Sequence, residues 1–247
     1  MIKLVRGSKP DYLTDEKEKE LTAEYISSKK AVWNNEKIKS ALLLSSHGKC
    51  AYCESPLTTE SNYMEVEHFE DKKHNPNKVV VWENLLPSCK KCNGAKGTHN
   101  VTAEPIINPF EDDPKEHLSL RLYRFRGKTP KGQTTIEVTN LNHSSRLVFS
   151  RYEIGEKIDE LLDTCWERFE NYRLQTDTRS RNRLIKVVEG LLEECQPNSD
   201  YSASTATNLL TDIKFVELVS TMKSESIWNQ DLDDLLQKAS TLVLDCA

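Results

Sequence analysis

The 247-residue sequence has no long hydrophobic run: the longest uninterrupted apolar stretches, such as 41–44 and 79–82, are four residues. A bilayer-spanning helix needs roughly 20, so a membrane span is excluded. The first residues also lack the apolar core of a secretory signal. The seven cysteines are therefore expected to be reduced thiols of a cytoplasmic protein, not a disulfide framework. Apolar residues make up only 37% against 30% charged, a balance that implies much solvated or partner-facing surface. Positive charge is not in excess either, and the net charge of −5, taken whole, does not advertise a nucleic-acid binder.

The average hides a gradient. Residues 1–100 carry 16 Lys and Arg against 14 Asp and Glu, residues 101–186 carry 15 against 14, and residues 187–247 carry 3 against 11. The acidity sits in the last quarter, so nucleic acid stays open as a partner for the front of the chain. A helical segment with net charge −8 is repelled by a phosphate backbone and suits protein contact or plain solvation.

The expected fold is α+β and predominantly helical. Residues 1–47 read as a helical segment, with Thr14 as N-cap and Asp15 and Glu16 at the positive end of the first helix. Residues 63–69 alternate with period two and read as a strand, 84–89 as its antiparallel partner, and 92–96 as a short helix. Two further strands, 119–126 and 134–139, are expected to form a hairpin around Gly127, Pro130 and Gly132. From residue 143 on the pattern is helical, with apolar stripes from Ile154 to Phe169 and from Leu184 to Cys195, and 196–204 reads as a linker. Three parts follow: 1–47, 48–142, and a helical 143–247 that is acidic after about residue 187.

Four cysteines form two CxxC pairs, Cys50 with Cys53 and Cys89 with Cys92, with 35 residues between the pairs. Four thiolates close a tetrahedral zinc shell, and a shell of four sulfurs is structural. Cys165, Cys195 and Cys246 lie on apolar stripes or near the chain end and read as packing residues. A zinc ribbon usually separates its pairs by about 15 to 20 residues, so something is inserted here. The insertion carries Glu67-His68-Phe69 and Asn84, and the last pair runs on as Cys92-Asn93-Gly94-Ala95-Lys96.

These residues resemble the HNH endonucleases, whose ββα-metal motif is often clamped by such a pair of zinc knuckles. The resemblance implies a structural Zn²⁺ on the four cysteines and a catalytic Mg²⁺ or Mn²⁺. His68 is then the general base, since an imidazole is matched to taking a proton from water near neutral pH. Glu67 and Asn93 would offer oxygen ligands to a hard cation, and Asn84 would hold the loop around His68 in place. Many family members have Asp at the position of Glu67 and His at that of Asn93, which puts the metal preference in doubt. Lys96 is read as a phosphate contact or a solvated helix residue.

The opening residues, the run from Trp82 to Pro87, the block from Asn108 to Leu118, and Leu141-Asn142 are similar to one subgroup, the HNH subunits of Septu-type antiphage systems. That likeness implies a nuclease effector controlled by an ATPase of the ABC or SMC-like type. In systems that accompany retrons it also implies a reverse transcriptase with its nucleic acid. Substrate contact is expected from Lys72 and Lys73, from Lys96, and from Arg121, Arg124 and Arg126 in an acid-free stretch interleaved with Tyr123 and Phe125. A weaker basic stretch contains Arg179, Arg181, Arg183 and Lys186. DNA is favoured over RNA as substrate, although backbone contacts do not report the sugar. The competing reading is a non-catalytic zinc-knuckle module that binds nucleic acid or protein, for which Glu67, His68, Asn84 and Asn93 are unnecessary.

Overall fold

Helix α1 (Asp15–Ser28) starts where its cap dictates: the Thr14 hydroxyl accepts from the Lys17 amide at 3.2 Å, with Asp15, Glu16 and Glu18 on the first turn. Asn35 caps α2 (Glu36–Ser45) in the same way, through the Lys37 amide at 2.9 Å. The computed structural model describes residues 1–57 and 63–246. The chain divides into two units, Met1–Leu118 with Phe125–Asn142, and Ser119–Arg124 with His143–Ala247.

In the first unit, β1 (Met64–His68) and β2 (Leu85–Cys89) pair antiparallel, with Met64 opposite Cys89 and His68 opposite Leu85. Helix α3 (Lys90–Lys96) follows at once, capped by Cys89. This is the expected strand, strand, helix order. The helices α1 and α2 share one core with the strands: Leu21, Tyr25, Ile38 and Leu42 are packed with Val66, Trp82 and Leu85. Arg6 fastens the chain start to the turn before β2, donating to the carbonyls of Trp82 and Leu85 at 2.8 Å each and of Glu83 at 3.0 Å. Its guanidinium also lies 4.0 Å from the Phe110 ring centre.

The second hairpin departs from expectation. After α4 (Pro114–His117) come β3 (Leu118–Arg121) and β4 (Arg124–Gly127). Between them Leu122 and Tyr123 both take positive φ, 48° and 64°, as in a type I′ turn. The reversal therefore falls inside the stretch expected to be one strand. Residues 134–139, expected to form the second strand, belong to helix α5 (Pro130–Val138). Its β-branched residues suggested a strand, but Thr129 caps the Gly132 amide and Pro130 occupies the first turn; a cap and a preset φ start a helix there.

The second unit consists of α6 (Phe149–Leu174), α7 (Thr178–Glu193), α8 (Ser202–Leu210), α9 (Ile213–Ser224) and α10 (Gln230–Ser240). A short β5 (Asp245–Cys246) pairs parallel to Ser119 and Leu120. The stretch 196–204 is not a linker. Gln196 is buried and donates to the carbonyls of Leu192 and Leu235, and Ser202 to Ala206 are all buried at the start of α8. Small side chains let this polar-looking segment sit inside the unit, with Thr207 returning its hydroxyl to the Ala203 carbonyl at 2.6 Å. Cys165 and Cys195 are fully buried, and burial pushes each thiol up to about 12, as befits packing residues; Cys246 is exposed. Among the described residues no helix is long and apolar enough to cross a membrane.

Gly132 is required where it stands, because a Cβ there would lie 2.0 Å from the His117 carbonyl oxygen. Gly132→Ala should cost about 2 kcal/mol of stability, read as a lowered urea midpoint at unchanged slope.

Candidate HNH nuclease site

The two CxxC pairs come together although 35 residues separate them. Their four sulfurs lie within 4.8 Å of one another, all buried and none in a disulfide. The sulfurs of Cys53 and Cys89 are 3.8 Å apart, close to the edge of roughly 3.8 Å that a tetrahedron with Zn–S bonds of about 2.3 Å imposes. Donors are aimed at the sulfurs: the Ser55 hydroxyl lies 3.1 Å from Cys53, and the Cys92 amide donates to Cys89 at 3.4 Å. Burial lifts Cys50 well above the ordinary thiol range, a cost that a cation at the centre of the four sulfurs would offset. Among the described residues this is the one group of three or more His, Cys, Asp or Glu so arranged, and its donor set fits a closed structural zinc shell.

At the end of β1 and in the loop that follows, the chain places its titratable groups. The His68 Nε2 lies 2.9 Å from the Val79 carbonyl oxygen. A carbonyl can only accept, so Nε2 carries the hydrogen and the lone pair is on Nδ1. Burial pulls His68 down to about 4, leaving the ring neutral at pH 7. Asn84 spans the loop after β1: its Oδ1 accepts from the Glu70 amide at 2.7 Å, and its Nδ2 donates to the carbonyls of Glu70 and Lys78 at 3.0 and 3.1 Å. Because Val79 follows Lys78, these bonds hold the same segment that holds His68.

Glu67 is buried, and burial pushes its carboxyl up to about 7 against the opposing pull of Lys96. The Lys96 ammonium lies 2.6 Å from Glu67 Oε1 and donates to the His68 carbonyl at 2.9 Å. This corrects the expectation that Lys96 contacts a phosphate: its side chain is fully buried, serving as the internal counter-ion of Glu67. Asn93 donates through Nδ2 to Glu65 Oε2 at 2.7 Å, which fixes the amide orientation and leaves its oxygen available.

A cavity of about 140 Å³ is lined by Glu67, His68, Asp71, Lys72, Lys73 and Asn93, with Tyr25 also at its wall. It gathers three of the four expected catalytic residues and two of the expected basic contacts. Asn84 acts from outside the lining, and Arg121, Arg124 and Arg126 lie on β3 and β4, also outside it. Several participants escaped the sequence reading. Trp33 meets the His68 ring edge-on at 4.6 Å and carries the Lys72 ammonium 5.1 Å from its centre. Tyr25 packs on Trp33 at 5.6 Å. Glu65 could have been found from its spacing, two residues before Glu67 on one strand face; Tyr25 and Trp33 gave no local signal. Asp71 stays below its ordinary value even though burial opposes this, because His74 hydrogen-bonds to it at 2.7 Å.

Comparison with known proteins agrees with this geometry. Residues 50–99 match the HNH endonuclease family, a span that runs from the first zinc-shell cysteine past Lys96. The chain is 45% identical over 246 residues to the Septu protein PtuB of Bacillus thuringiensis, covering 99% of this chain and 95% of that protein. It is 28% identical over 242 residues to the Septu protein PtuB of Bacillus mycoides, covering 78% and 81% respectively.

Metal analysis of the purified chain should find one equivalent of thiolate-bound metal. Cys89→Ser should lose that metal together with most of the cooperative melting transition, because Cys89 also ends β2 and caps α3. Retention of a full equivalent and an unchanged melt in that variant would contradict the assignment.

Proposed function

Because the chain belongs to the PtuB family of Septu proteins, we propose that it is the nuclease effector of an antiphage defence complex, a metal-dependent HNH endonuclease that hydrolyses phosphodiester bonds. The observation that carries this reading is the state of His68. Its tautomer is set by the Val79 carbonyl, its ring is neutral at pH 7, and it lines a cavity together with Glu67 and Asn93.

In this reading Nδ1 of His68 takes the proton from the attacking water. Asn84 keeps the imidazole aligned by holding the 70–79 segment, and Trp33 limits ring rotation from one side. Glu67 and the Asn93 amide oxygen are the donors suited to a hard divalent cation, Mg²⁺ or Mn²⁺. When bound, that ion supplies Lewis-acid stabilisation of the charge that develops on the phosphate oxygens. Lys96 opposes the rise that burial imposes on the Glu67 carboxyl and competes with any cation for the same carboxylate. Lys72 and Lys73, at the cavity wall, contact the nucleic-acid backbone, and Arg121, Arg124 and Arg126 are further backbone contacts in this reading. Such contacts carry little sequence information, and DNA is the favoured substrate. The four cysteines hold zinc.

The controlling partner is an ATPase of the ABC or SMC-like type, of the PtuA kind, and in retron-associated systems a reverse transcriptase accompanies it. The subgroup resemblance of the chain start, the run from Trp82 to Pro87 and the block from Asn108 supports this assignment, and nuclease and partner together would act in the cytoplasm.

The decisive experiment purifies the chain with the product of its neighbouring gene and assays DNA and RNA pools with Mg²⁺ or Mn²⁺. His68→Ala should lower the cleavage rate by about 10²- to 10⁴-fold while keeping the cysteine-bound metal and the melting temperature. A folded, metal-loaded His68→Ala protein that cleaves like the parent would sink the mechanism. Inactivity of the parent under all these conditions would favour a zinc-knuckle binding module.

A further inference from the structure

In the second unit, α6 and α7 are consecutive helices joined by three residues, and an open trough runs along them. It consists of three adjoining cavities. The middle one, about 750 Å³, is lined by Leu161, Arg168, Arg183, Lys186, Val187 and Gly190 among others. Toward the chain reversal it continues into about 310 Å³, sharing Arg168 and Arg183 and ending near Leu174. In the other direction it continues into about 490 Å³, sharing Leu161 and Glu194 and reaching Ile154. From Ile154 to Leu174 along α6 the trough is about 30 Å long at 1.5 Å per residue, the length of a helix of some five turns.

Two properties of its lining point to an occupant. Arg168, Arg183 and Lys186 have neither an ion pair nor a hydrogen bond among the described residues, whereas other cations of the same unit do: Arg173 pairs with Glu225 at 2.8 Å, Lys214 with Asp163 at 2.9 Å and Lys223 with Asp233 at 2.8 Å. Glu194 also lines the trough but pairs with none of the three among the described residues, so three cations lie together there against one acid of the same cavity. The second property is Gly190. Glycine inside a helix costs about 1 kcal/mol relative to alanine. In α6, Gly155 is explained by its neighbours, since a Cβ there would lie 2.5 Å from the Tyr123 ring. At Gly190 a Cβ would meet nothing within 4 Å, so the packing of the chain itself does not require the glycine. Its effect is to leave the trough floor open beside Leu161 and Val187.

We propose that this trough docks an amphipathic helix of a partner protein. The apolar side of that helix would lie on Leu161, Val187 and the exposed Leu174, and its carboxylates would face Arg168, Arg183 and Lys186. A nucleic-acid backbone would use the cations but gains nothing from an apolar floor opened by a glycine. The inference does not rest on the nuclease reading, since every residue involved lies in the second unit.

The test uses the full chain and a fluorescent helical peptide of about 20 residues, with leucines along one face flanked by glutamates. A peptide with lysines in place of the glutamates and a short DNA duplex serve as comparisons. The acidic peptide should bind and the lysine peptide should not. The double variant R183E/K186E and the trough-filling Gly190→Leu should each raise Kd by about tenfold or more at an unlowered melting temperature, and Gly190→Ala should retain binding. If Gly190→Leu melts early, the charge-reversal pair alone decides. The proposal is overturned if the acidic peptide does not bind, or if it binds the charge-reversed protein equally well. It is also overturned if the duplex alone binds and Gly190→Leu leaves its affinity unchanged, which would make the trough a nucleic-acid face.

Discussion

The convergence of four buried sulfurs is the constraint from which the HNH site follows. Cys89 is at once the last residue of β2, the N-cap of α3 and a member of the sulfur cluster. Its position opposite Met64 fixes the register that sets His68 against Leu85 and Glu67 against Leu86. A slip of one residue would exchange the two faces of β1 and turn Glu67 and His68, which alternate along the strand, each away from its present partners. The metal that these cysteines suit would therefore order the reacting groups from a distance, by fixing a strand.

Inside that frame the polar groups are arranged for mutual satisfaction. Glu67 would be costly to bury alone, and Lys96 answers it at 2.6 Å while also tying down the His68 carbonyl. Asn84 uses both ends of its amide on one loop, and Asn93 is turned by Glu65 so that its oxygen stays available. His68 and Asn93 are each restrained through an atom the proposed chemistry does not need, Nε2 and Nδ2 respectively. Such hydrogen bonds orient the site's side chains on top of the core that the strands share with α1 and α2.

Much of this was legible in the sequence because the chemistry was local. Two CxxC pairs are a short pattern with few alternative meanings, Glu67-His68 and Asn84 gain theirs only inside that frame, and the first strand of the strand, strand, helix order followed from period-two alternation. What was not legible was tertiary. The β-branched run at 134–139 suggested a strand until the Thr129 cap and Pro130 set a helix. The polar stretch 196–204 resembled a linker because burial of serine and threonine depends on partners far away in sequence. Lys96 looked like a surface lysine for the same reason. Trp33 and Tyr25 have no signature at all, since an aromatic beside a histidine 35 residues later is set by packing alone. The segment after residue 187, read as a helical part suited to protein contact or solvation, also supplies much of the core of the second unit through Leu191, Leu209, Phe215 and Leu232.

Trp33 also bears on what can be separated from what. The candidate catalytic residues fall within 50–99, the span that matches the HNH endonuclease family, yet the ring that braces His68 comes from the turn between α1 and α2, and α1 and α2 bury their apolar faces on the strands themselves. The motif is therefore not a portable cassette. Excised at its family boundaries it would keep every candidate ligand and lose one wall, so a transplantable piece must reach back past the first helix to the strap that Arg6 and Leu13 form.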